Sequence, residues 1–186
     1  MRIMDRLNNE QLNTIELSLL EWNYEQASIK HSDLVRVETI ITERGYTLFA
    51  IYFGILTASV GYVLTHLNIK DDIALTSGCL SLIVFSCIAI GYIYKVIEPH
   101  EYYAPGKEPD HFKIGNYIAY FKGNGIIGEL QKKQVIGDEL VNLQSKITKQ
   151  EEINKKRVEQ TRISIRFILF GSLMAVVTFL IALFIY

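Results

Sequence analysis

Three stretches of the chain, residues 46–67, 73–97 and 167–186, are long, apolar and almost free of charge. A bilayer core of about 30 Å takes roughly 20 apolar residues at about 1.5 Å rise each, so each stretch predicts a membrane-spanning helix. Only "NIKDD" separates the first two, which makes them an antiparallel hairpin.

Amphipathic patterning marks two further helices. Leu12, Ile15, Leu19, Trp22 and Ile29 recur at helical spacing, and the stripe resumes at Leu34, Val37 and Ile41. The five-residue step from Ile29 to Leu34 breaks the register, so Ser32 or Asp33 is expected to cap a second helix that runs into the first span. The stripe is expected to pack on the protein's own polar region, ahead of an oligomer seam or a bilayer surface; Glu10, Glu16, Glu21 and Glu25 argue against an anionic surface. From Glu129 to Arg166 the pattern is again helical, with Ile136, Leu140, Leu143 and Ile147 on one stripe, and no proline or turn cluster intervenes before Phe167. A stalk helix continuous with the third span follows.

Between them lies "EPHEYYAPGKEPDHF", which holds all three prolines of the chain and reads as a loop. Its two acid-proline-histidine clusters lack zinc-like spacing, and no metal is expected. Gly123, Gly125 and Gly128 spell G-x-G-x-x-G, yet a long polar helix follows in place of a helix and a second strand, so a tight turn is expected and not a dinucleotide site. The fold expected is an all-α membrane protein with an N-terminal helical segment (1–45), a transmembrane hairpin (46–97), a loop and stalk helix (98–166) and a C-terminal transmembrane helix (167–186).

Composition changes this picture little: 49% of residues are hydrophobic and 21% charged, but the two kinds are segregated, as in a membrane protein with a polar part. Charge adds direction. Five Lys and Arg precede the first span, one (Lys70) sits in the hairpin turn, and thirteen lie from Lys95 to Arg166. Basic residues accumulate on the cytoplasmic side, so the N-terminus and residues 98–166 are expected inside and Tyr186 outside an inner membrane. No cleavable signal peptide is read in the first 45 residues. The collar of Lys155, Lys156, Arg157, Arg162 and Arg166 is read first as a topology anchor beside the third span, with phosphate or lipid binding as the other reading. Cys79 and Cys87, eight residues apart on one helix, are too distant to pair with each other and read as packing residues.

Candidate chemistry is sparse. No catalytic set of nucleophile and base is apparent, no cofactor is implied, and no ionisable side chain lies deep in a span, which disfavours proton relays and voltage sensors. Tyr102, Tyr103, Lys107, Lys113, Tyr117, Tyr120 and Lys122 interleave rings and cations, the combination that stacks bases and holds phosphates; packing of the rings on the stalk is the competing reading. Small residues line up as Gly54, Ala58, Gly61 and Thr65 on the first span and as Gly171, Ala175, Thr178 and Ala182 on the third. Such stripes let helix backbones approach within or between subunits, or line a narrow pore.

An N-terminal helix, a short membrane hairpin and a long polar helix in under two hundred residues resemble the small membrane effectors of bacterial antiviral defence, such as SLATT-type effectors and the membrane partner of the Hailong system. The third span departs from the two-span pattern. The resemblance implies a homo-oligomer in membrane lipid that breaches the inner membrane when a cytoplasmic nucleotide, oligonucleotide or partner enzyme changes its state. The alternative is a non-conducting scaffold that docks a cytoplasmic protein through the 9–30 or 129–150 helix.

Overall fold

A computed structural model of the protein describes residues 14–66, 73–99, 119, 121–125 and 127–185. Among them there is no strand. Three long helices carry the fold: α1 (Leu17–His66), α2 (Ile73–Ile97) and α3 (Glu129–Ile185). Each contains a segment long and apolar enough to cross a membrane.

α1 passes through Ser32 and Asp33 without interruption, contrary to the expected restart. The Ser32 hydroxyl donates back to the Ile29 carbonyl at 3.0 Å, a bond made inside a helix and not at its start. The register break was an artefact of following the wrong face. The buried or half-buried side of α1 runs Leu20, Tyr24, Ala27, His31 and Leu34 in alternating steps of four and three, and Ile29 is not on it.

The chain divides into two compact units, residues 1–37 with 101–153 and residues 38–100 with 154–186. In the first, α1 and α3 run parallel, since Glu21 pairs with Lys132 and Lys30 pairs with Glu151 at 2.7 Å. Leu143, Ile147 and Gln150 of α3 are buried together with Leu20 and His31 of α1. Leu19, Trp22 and Ile29 are about half exposed, so the conspicuous apolar stripe is not the face packed within this unit. Turning of the chain ahead of α3 is done by glycine: Gly125 and Gly128 have φ of 64° and 67°, a left-handed backbone that costs glycine least. The Gly128 carbonyl then accepts from Gln131 N–H at 3.2 Å, opening the first turn of α3.

The second unit is an up-down-up bundle. Gly45 brings α1 onto the end of α2, beside Val96 and Ile97. α2 and α3 are antiparallel, with Tyr92 stacked on Phe167 at 5.5 Å and Phe85 edge-on to Phe170 at 5.3 Å. Tyr52, Ala89, Ile93, Val96 and Ile41 form the core, with Leu48, Phe49, Ile90, Phe167 and Ile168 around it. Buried positions on α1 (Ile41, Gly45, Tyr52, Ser59, Val63) and on α3 (Asn154, Arg157, Ser164, Gly171, Ala175) keep the four-three spacing, the period that holds one seam against a neighbouring helix.

Candidate functional site

Position on that seam separates the two small-residue stripes. At about 100° per residue, Ile41, Gly45, Ser59 and Val63 fall within about 20° of Tyr52, whereas Gly54, Ala58, Gly61 and Thr65 fall about 180–240° away. All four are exposed, and a Cβ at Gly54 or Gly61 would meet nothing within 4 Å. The face is apolar in effect, because the Thr65 hydroxyl is turned back onto the Gly61 and Tyr62 carbonyls at 3.0 and 2.9 Å, and Thr57 does the same to Phe53 at 2.9 Å.

The α3 stripe lies on the seam itself. Gly171 and Ala175 are buried; a Cβ at Gly171 would overlap the Phe85 Cβ and stand 2.9 Å from its Cγ. Across the same crossing, a Cβ at Gly78 would stand 3.1 Å from the Ala175 carbonyl oxygen. Thr178 and Ala182 are half-buried, and Thr178 bonds the Met174 and Ala175 carbonyls at 3.0 Å each. One stripe therefore holds the bundle together, and the other is open.

The basic collar also divides. Lys155, Lys156, Arg162 and Arg166 are exposed, but Arg157 is 4% exposed on the seam. Its Nη1 donates to Glu38 Oε1 at 2.9 Å and to Thr42 Oγ1 at 3.2 Å, and its Nη2 donates to the Glu98 carbonyl at 3.0 Å. That carbonyl lies just beyond the last turn of α2, where helix geometry supplies no acceptor's partner. A planar, forked guanidinium is suited to this three-way bond, and one side chain ties all three helices at the basic end of the bundle. Glu38, Thr42 and Glu98 are partners that charge counting did not single out; the only hint was the four-three spacing that carries Glu38 onto the seam between Leu34 and Ile41.

Of the ring and lysine segment, Lys122 is described and exposed. Tyr102, Tyr103, Lys107, Lys113, Tyr117 and Tyr120 lie outside the described residues, as do His100 and residues 108–111 of the acid-proline-histidine clusters. Among the described residues no group of three or more His, Cys, Asp or Glu comes together. Comparison with protein-family models, curated proteins and solved structures finds no match.

Proposed function

We propose that this chain is a homo-oligomeric effector or channel of a bacterial inner membrane, gated from the cytoplasm and permeabilising the membrane in antiviral defence. Residues 1–45 and 98–166 are then cytoplasmic and the end of α3 is outside, in keeping with the thirteen-to-one excess of basic residues over the hairpin turn. The observation that carries the reading is the open stripe of Gly54, Ala58, Gly61 and Thr65. Lipid tails are as apolar as any helix face, so helices associate in a bilayer through close backbone approach, and small residues supply it. A second copy can use the α1 stripe, since the α3 stripe is already occupied by α2. The bundle core is filled by Tyr52, Ile93 and Val96, so a conducting path has to form between copies. The cue is taken to enter through the segment from Tyr102 to Lys122, as a nucleotide, oligonucleotide or partner enzyme, and to travel along the unbroken α3.

The test places a single cysteine in the open stripe, Ala58→Cys, in a Cys79→Ser/Cys87→Ser background. Oxidation in native membranes should give a cross-linked dimer, whereas Leu173→Cys on the exposed side of α3 should not. Purified protein in dye-loaded liposomes should release dye on addition of cytoplasmic extract. Equal cross-linking at both positions, or at neither, overturns the oligomer contact.

A non-conducting scaffold is the second reading, favoured by the exposed Leu19, Trp22 and Ile29, an apolar face suited to a docked protein. Cross-linking without leakage, together with loss of a copurifying protein in Leu19→Ser/Trp22→Ser, would select it.

A further inference from the structure

The exposed arginines of the collar are not evenly spread. Arg162 and Arg166 of α3 face Arg44 of α1 across a cavity of about 320 Å³ whose apolar floor includes Ile41, Val158 and Ile165. Among the described residues no acidic side chain lines it. Lys30, Lys132, Lys133 and Arg157 each pair with a carboxylate, whereas none of these three arginines makes an ion pair with a described acidic residue. Three guanidiniums without an acidic partner among the described residues, around one small cavity, concentrate positive potential and present donor forks matched to phosphate oxygens.

Location narrows the anion. Arg44 and Arg166 stand at the last polar positions before the uncharged stretches that begin at residues 46 and 167, and Arg162 is one helical turn, about 6 Å, further out. That is the depth of a headgroup layer for chains that span here. Below Arg162 and Arg166 the same face of α3 continues through Leu169, Leu173, Val176 and Leu180, in steps of three and four, all 45–63% exposed. A free phosphate has no use for such a track, whereas an acyl chain is long and apolar enough to follow it.

We infer that the groove between α1 and α3 is a binding site for an anionic phospholipid, its phosphate held by Arg44, Arg162 and Arg166 and an acyl chain laid along Leu169 to Leu180. The site belongs to one chain and does not depend on the oligomer or on any gating role. Lys155, Lys156 and Arg157 are outside it, the first two because they do not line the cavity and the third because its charge is held by Glu38.

The full chain is purified in a neutral detergent, supplied with phosphatidylglycerol or phosphatidylcholine, and read by native mass spectrometry for retained lipid. Phosphatidylglycerol should be retained in preference, and Arg44→Gln/Arg162→Gln/Arg166→Gln should lose that preference, at roughly fivefold per arginine removed. Lys95→Gln/Lys155→Gln/Lys156→Gln removes the same charge from the same end and should keep it. Equal loss in both triple variants would mean diffuse attraction, and no loss in either would mean no site; each overturns the inference. Inorganic phosphate at millimolar concentration should not displace the lipid, and displacement would assign the site to a free anion. Val158→Trp keeps every charge and narrows the cavity, so it should also release phosphatidylglycerol. If the arginine triple variant fails to fold, retention by Val158→Trp at the wild-type level overturns the site.

Discussion

Arg157→Gln is expected to be the most damaging single change in the basic collar. Its guanidinium and the Glu38 carboxylate are 4% and 16% exposed at the side chain, so water replaces little of what the arginine supplies. Removing one partner of a buried pair costs about 3–5 kcal/mol, because the other charge stays behind without compensation. The residual exposure of Glu38 lowers that figure, while the Glu98 carbonyl and the Thr42 hydroxyl, each losing a donor, add about 1 kcal/mol between them. A loss of about 3 kcal/mol follows, a factor of roughly a hundred in the unfolding equilibrium. Arg157→Lys keeps the charge but cannot reach Glu38 and the Glu98 carbonyl with one ammonium, and should lose about half as much. As a comparison, Lys30→Gln breaks a pair whose side chains are 58% and 47% exposed, worth at most about 0.5 kcal/mol. Unfolding of the purified protein in mixed micelles, followed by the circular dichroism of its helices against denaturant, reads all three. Adding Glu38→Gln to Arg157→Gln should restore about 1–2 kcal/mol, since the stranded carboxylate is then neutral. Were Arg157→Gln no worse than Lys30→Gln, or the double variant no better than the single, the three-way bond would not be what joins the helices.

Gly171→Leu drives a side chain into Phe85 and should destabilise the monomer by about 1–3 kcal/mol, measured by the same unfolding curve. Gly61→Leu meets open space, so it should leave that curve unchanged and instead lower Ala58→Cys cross-linking and dye release. A reporter active only outside the cytoplasm should work when fused after Tyr186 and fail when inserted beside Lys107; the reverse pattern would invert the proposed topology. Lys107→Gln/Lys113→Gln/Lys122→Gln should weaken oligonucleotide binding by the purified protein in a filter or fluorescence assay, and unchanged binding would remove the segment as the point of entry for the cue.

Much of the architecture was legible from local composition. Uncharged runs of twenty or more residues announce helices that can cross a bilayer, because backbone hydrogen bonding leaves a helix as the simplest form such a run can take in lipid. The absence of proline and turn residues between Glu129 and Phe167 likewise announced one unbroken helix, and α3 is one. The turn at Gly125 and Gly128 was legible for the same kind of reason, since only neighbouring residues decide it.

What the sequence by itself could not decide was which side of each helix meets another. Following apolar side chains along α1 led to Leu19, Trp22 and Ile29, yet the packed line runs through Ala27, His31, Glu38, Gly45 and Ser59, residues that hydropathy passes over. For Ser59, within the stretch apolar enough to cross a membrane, hydropathy carries no such information, because a leucine is as well placed against lipid as against a helix. Two stripes that read alike along the chain were separated by tertiary structure: Gly171 lies under Phe85, and Gly61 lies in the open. Charge counting treated five basic residues as one collar, but a charge acquires a role from what stands opposite it. Glu38, 119 positions away, makes Arg157 a structural tie, and Arg44, brought up by the parallel path of α1, gives Arg162 and Arg166 a groove to line.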